Sequence, residues 1–203
     1  MKRPWSVGCG TAWLGLALIA WLGAGCGHRI PPEIDQARQH LEAGKPDAAA
    51  LALKKRAFEN PTSWDAWNDL GVLEMTRGRT RQALAFLRRA VGADPLQPAP
   101  HNNLGLLYLQ IGRPDEAMGE FHMAVAADPR YAPAHYNLGV NYRSARLYDR
   151  AEASLSAALR EDAGHRMARY HRGFVRVLTE RYDEALADFK PLLRAMPERA
   201  GVH

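Results

Sequence analysis

Cysteine is almost missing: the 203 residues hold two, Cys9 and Cys26, both near the start. The rest of the chain therefore has no disulfide framework and no cysteine nucleophile. Strand signals are missing too, since no segment sustains the apolar–polar alternation of a half-buried strand, and the chain reads as all-α. Charge of one sign is scarce: 27 Lys+Arg against 22 Asp+Glu gives a formal +5, spread along the chain. Without a basic patch interleaved with aromatics, nucleic acid is not an expected partner. Phosphate loops and zinc-protease helices do not occur. His165 and His171 stand six apart, a spacing that does not share a helix face, and His101 and His135 lack metal-ligand spacing. The expectation is a protein with no catalytic set, no cofactor and no metal. What is present is a globular balance, 47% hydrophobic and 24% charged.

The opening "MKRPWSVGCGTAWLGLALIAWLGAGC" has a cationic start, an apolar run from Thr11 to Leu22, and the small residues Gly23, Ala24 and Gly25. That is the pattern of an export signal over residues 1–25. Its end, "LGAGC", resembles the lipobox of bacterial lipoproteins, which implies lipidation of Cys26, with residues 26–29 as a tether. One departure from that pattern is that Leu22 stands four places before the cysteine, where the family usually has three. Ordinary cleavage to a soluble protein and an uncleaved anchor stay open beside lipidation, because no charged residue occurs between Pro4 and Gly27. For a Gram-negative lipoprotein, Gly27 in place of aspartate favours the outer membrane facing the periplasm. Loss of Lys2 and Arg3 would leave 25 positive against 22 negative residues, or +3.

Beyond the tether the chain repeats itself. "HNNLGLLYLQ" at His101 to Gln110 returns as "HYNLGVNYR" at His135, 34 residues later. One column reads Ala49, Ala83, Ala117, Ala151 and Ala185; another reads Gly71, Gly105, Gly139 and Gly173, with Ala37 at its head. A third holds Pro61, Pro95, Pro129 and Pro197, broken by Ala163. These define about five repeats over residues 30–199, starting at Ile30, Trp64, Pro98, Ala132 and Arg166. Two amphipathic helices fit each unit. In the third, Leu104, Leu107, Tyr108 and Ile111 recur at helical spacing, and Ala117, Phe121, Ala124 and Val125 resume after Gly112. The recurrence of Asp115 and Glu116 as Asp183 and Glu184, at second-helix starts, makes these carboxylates structural rather than an acid/base pair. A glycine inside four successive helices costs about 1 kcal/mol each against alanine, so close approach between paired helices is expected there.

These columns resemble the signature of the tetratricopeptide repeat family. The resemblance implies a right-handed α-solenoid of antiparallel helix pairs whose concave face binds peptide segments of other proteins. Carried over position by position, that face would comprise Asn68, Asp69, Val72 and Met75; Asn102, Asn103, Leu106 and Leu109; Tyr136, Asn137, Val140 and Arg143; and Tyr170, Phe174, Val177 and Leu178. The apolar members are read as packing between first helices. Asn68, Asn102, Asn103, Tyr136, Asn137, Arg143, Tyr170 and Phe174 are the groove candidates, the asparagines for a peptide backbone and the tyrosines as flat anchors. An apolar or helical ligand fits better than a carboxylate tail, because the required extra cations are not found.

Arg169, Arg172 and Arg176 break the pattern, standing where His135, Leu138 and Tyr142 are expected to be buried. A solvated terminal helix is the favoured reading, with acidic partners as the alternative. Three roles follow for the whole: a non-enzymatic adaptor of the bacterial envelope, nearest in class to tetratricopeptide lipoproteins that support pilus secretin assembly; a self-assembling scaffold using Phe189, Leu192, Leu193 and Met196; or a regulatory subunit of an envelope enzyme.

Overall fold

The computed structural model describes residues 31–194 as ten α-helices, with no strand among the described residues. In chain order these are α1 (Pro32–Glu42), α2 (Pro46–Glu59), α3 (Trp64–Thr76), α4 (Thr80–Ala93), α5 (Pro98–Gln110), α6 (Pro114–Ala127), α7 (Ala132–Ser144), α8 (Tyr148–Glu161), α9 (Arg166–Leu178) and α10 (Tyr182–Arg194). The export-type segment, Cys26 and its tether, Met196 and Pro197 lie outside the described residues. No helix among the described residues is long and apolar enough to cross a membrane. The chain divides into two compact units, Met1–Asp94 with α1 to α4 and Pro95–His203 with α5 to α10.

Each pair closes with the same turn. After α1, α3 and α5 the chain enters left-handed geometry at Gly44, Gly78 and Gly112, with φ of 67°, 71° and 74°. One residue on, a main-chain N–H reaches back to a carbonyl in the last helical turn: Lys45 to His40 (2.7 Å), Arg79 to Glu74 (2.9 Å) and Arg113 to Tyr108 (2.9 Å). This six-to-one bond satisfies a carbonyl the helix end leaves open. α7 and α9 make the same bonds, Leu147 to Tyr142 (2.9 Å) and Arg181 to Arg176 (2.8 Å). Their left-handed residues, however, are Arg146 and Glu180, with φ of 59° and 61°. A side chain with a Cβ is strained in that region. Arg146→Gly is therefore expected to stabilise the second unit by about 1 kcal/mol, read as a higher urea midpoint; an unchanged midpoint contradicts the strain.

Between repeats the proline column sits in the turns, and its carbonyls have a fixed use. Trp67 Nε1 donates to the Pro61 carbonyl (2.9 Å), and His135 Nε2 to that of Pro129 (2.9 Å). His101 Nε2 is 3.1 Å from the Pro95 carbonyl, and Arg169 donates to Ala163 at 2.6 Å. Four side chains of three kinds make one bond, from each first helix after α1 to the turn six residues before. This accounts for Arg169: the column requires an N–H donor rather than an apolar residue.

The small columns lie inside each pair. Ala49, Ala83, Ala117 and Ala151 have no exposed surface. A Cβ on Gly71 or Gly139 would stand 2.5 Å from Cγ of Leu87 or Leu155, and one on Gly105 2.5 Å from Cε1 of Phe121. On Gly173 it would come 2.7 Å from Cε1 of Phe189. Each glycine thus makes room chiefly for one large side chain of its partner helix, four residues after the alanine, more than for bare backbone.

In the fifth repeat the structure overturns the solvated reading of the arginines. Arg172 Nε and Nη2 bind both oxygens of Asp188, at 3.0 and 2.6 Å. Nη1 of Arg176 donates to Asp188 Oδ2 and its Nε to Glu152, each at 2.9 Å. Arg181 also binds Glu152. The physical reason is that Asp188 is buried and two guanidinium groups neutralise it. A smaller case occurs in the first unit, where buried Glu74, in the column of Tyr108 and Tyr142, accepts from Arg77 (3.0 Å) and Arg79 (3.2 Å).

Candidate functional site

In the first unit the groove candidate Asn68 is buried, and its Nδ2 donates to Asp69 Oδ1 at 3.2 Å. Burial pushes the Asp69 carboxyl up to about 7, only partly opposed by the Asn68 bond and Arg38. In the second unit Asn102 and Asn103 are buried as well. Asn137 gives an amide hydrogen to Asn102 Oδ1 (2.7 Å), so these two tie α5 to α7. The expectation of an asparagine row open to a peptide backbone is corrected for Asn68, Asn102 and Asn103. Small side chains at this point of the first helix sink between neighbouring helices, where their amides must find partners within the protein.

The remaining candidates come together on α7 and α9. The Tyr136 ring lies 4.7 Å from the ring of His165 and 5.8 Å from that of His171. Tyr170 faces His171 edge-on at 5.4 Å and stacks on Phe174 at 6.5 Å and 22°. The guanidinium of Arg143 sits 5.4 Å over the Phe174 ring. Tyr170 and Phe174 are 44% and 38% exposed, open to a ligand in a way that the asparagines are not.

Sequence spacing set His165 and His171 apart, yet both reach Tyr136. His165 is not on the helix: it is the residue before it, and its Nδ1 accepts the N–H of Ala168 at 3.1 Å as a cap. The signal that could have found it is its place directly ahead of the repeat boundary at Arg166. His171 Nδ1 is buried without a hydrogen-bond partner. Burial lowers the His171 pKa below the ordinary histidine value, and nearby Arg143 and His165 add to the effect.

His101 behaves oppositely. Its Nδ1 is 2.7 Å from Glu120 Oε2 while Nε2 faces the Pro95 carbonyl, so both nitrogens meet acceptors. The bond to Glu120 holds its pKa above the ordinary histidine value against the cost of burial. A raised folded pKa means the stabilisation is complete below the unfolded value near 6.5 and is lost as pH climbs through the folded pKa. Melting temperatures taken upward from pH 6 should fall for the native chain and fall less for Glu120→Gln; parallel curves would refute the pairing.

No group of three or more His, Cys, Asp or Glu side chains among the described residues is placed to hold a metal. Helix pairs in a 34-residue repeat, with the aromatics Tyr170 and Phe174 laid open on one first helix, define a scaffold for protein–protein interaction. The tetratricopeptide repeat family model matches residues 34–98, 77–132, 102–165 and 136–200, and the chain belongs to that family. A crystal structure of MamA is similar, at 25% identity over 78% of this chain and 92% of that one, with a TM-score of 0.66. A thermophilic tetratricopeptide repeat protein of Thermus thermophilus is similar at 25% identity, 82% and 91% coverage and a TM-score of 0.66. MamA of Desulfovibrio magneticus RS-1, at 19% identity, 85% and 100% coverage and a TM-score of 0.65, shares the fold. No curated protein matches the chain.

Proposed function

We propose that this protein is a non-enzymatic adaptor of the bacterial cell envelope, exported, lipidated at Cys26, and recruiting a segment of a partner protein on the first helices of its repeats. The observation that carries the reading is the aromatic surface of Tyr136, Tyr170 and Phe174 with Arg143 beside it. Flat amphipathic rings over a guanidinium bind apolar or helical segments at little entropic cost. The export-type opening and "LGAGC" support the membrane assignment, and Gly27 favours the outer membrane. Capture from envelope extracts should recover a partner with the native chain and lose it with Tyr170→Ala/Phe174→Ala; the same set from both would remove the surface from the mechanism. Fatty-acid labelling should mark the native protein and spare Cys26→Ser, and equal labelling rejects the anchor.

A further inference from the structure

Of the helices α1 to α9, α9 alone opens on a side-chain cap. The cap is His165, whose Nδ1 accepts the Ala168 N–H at 3.1 Å. A neutral imidazole can do this because one ring nitrogen keeps a lone pair, whereas a protonated ring donates from both nitrogens. Serine and asparagine, the commoner caps, have no such limit. The same histidine joins α9 to α7, since its ring lies 4.7 Å from that of Tyr136. His171 meets Tyr136 at 5.8 Å and Tyr170 edge-on at 5.4 Å. Its Nδ1 is buried with no hydrogen-bond partner among the described residues.

We infer that these contacts form an acid-sensitive joint: protonation of His165 and His171 undoes the cap, loosens α9 from α7, and so dismantles the aromatic surface of Tyr170 and Phe174. The surroundings of the two rings are cationic. α7 and α9 contain neither aspartate nor glutamate, and the charge that faces His171 from α7 is Arg143. Arg166 follows the cap directly, and Arg169 is turned to the Ala163 carbonyl. The carboxylates of the flanking helices are engaged elsewhere. From α8, Glu152 binds Arg176 and Arg181, and Glu161 binds Arg130. Asp162, just past α8, accepts the Gly164 N–H. From α10, Asp188 binds Arg172 and Arg176, and Glu184 lies 3.4 Å from Arg176. Asp149 and Asp183 are exposed in the first turns of α8 and α10.

A proton on His165 therefore costs the cap bond and sets a positive charge at a helix N-terminus, where the dipole is already positive. A proton on His171 leaves a donor at Nδ1 that burial keeps from water, beside a guanidinium. The lowered pKa of His171 gives the sign: the fold prefers its neutral form, so the stabilisation is complete above the unfolded value near 6.5 and is lost as pH falls below it. His101 runs the other way, because Glu120 favours its charged form. Acid thus acts in opposite senses on α5 and on α9 of one unit, which separates the joint from general acid unfolding.

The test is hydrogen exchange of the full chain at pH 7 and pH 5, with the intrinsic rate at each pH divided out. Protection of α9 should fall about tenfold, from the lost cap and the opposed dipole together, while α5 and α6 keep theirs. His165→Asn supplies a cap that does not titrate, and His171→Asn copies Asn137 of the fourth repeat. Each should reduce the acid loss, and the double variant should abolish it. Should the double variant leave α9 unprotected even at pH 7, the native chain decides: NMR of its histidine Cε1 hydrogens should show two rings titrating in step with the loss. Flat protection of native α9, a loss that a folded double variant shares, an equal loss in α5 and α6, or ring titrations out of step would each overturn the inference. The joint does not depend on the adaptor reading. A chain that captures no partner yet loses α9 protection in acid refutes the adaptor and upholds the joint.

Discussion

Asp188→Ala should cost the terminal repeat about 3–5 kcal/mol, the range found when one member of a buried ionic group is removed. Asp188 is almost fully buried and is shared by Arg172 and Arg176, so its loss leaves two largely enclosed cations facing each other. Repeat arrays do not unfold as one unit, so the readout is hydrogen exchange of α9 and α10, which should rise by orders of magnitude while α5 and α6 keep their protection. The network is costly to break without being valuable in itself. Arg172→Leu/Arg176→Tyr/Asp188→Ser copies the residues of the fourth repeat, Leu138, Tyr142 and Ser154, into the fifth. Because apolar replacements of buried ionic groups are often neutral or stabilising, this triple variant should protect α9 at least as well as the native chain. A cost below about 1 kcal/mol for Asp188→Ala would mean that water reaches the arginines.

The second large effect lies at Gly105. Valine there would put a branched side chain where even a Cβ would stand 2.5 Å from the fully buried ring of Phe121. Overpacking of that kind costs about 3 kcal/mol, since the ring has no free volume to turn into. Thermal melts should show the loss, and Gly105→Val/Phe121→Ala should recover part of it, because the two changes share one space. Alanine at Gly105 is expected to lose less than valine but still to destabilise, because its Cβ alone would meet that ring. Additive losses in the double variant would show that the glycine and the ring do not compete for room.

What could be read from sequence followed from what period and size can encode. Repeat boundaries at Trp64, Pro98, Ala132 and Arg166 are helix starts in the structure. The turn after α5 at Gly112 was visible because only glycine takes left-handed geometry freely. The same turn at Arg146 and Glu180 was hidden, since surrounding bonds force it there against preference. Periodicity places Arg172 and Arg176 on the inner side of α9, but it cannot show that Asp188, twelve and more residues later, rises to meet them. The asparagines misled for a related reason: register puts Asn102 and Asn137 on corresponding faces, while their mutual bond depends on how far one helix slides past the next. His165 reached Tyr136 from a capping position, outside any helical wheel.

The tie between the first helices α3, α5, α7 and α9 and the turn before each has a consequence for how such chains diverge. Its acceptor is a main-chain oxygen, which no substitution at that position can delete, whereas the donor has already been exchanged among indole, imidazole and guanidinium at Trp67, His101, His135 and Arg169. Selection at this site acts on reach and on one polar hydrogen, leaving the letter free to drift. Relatives that keep the joint intact can therefore look unrelated at that column, and alignment scores built on residue identity will undercount them.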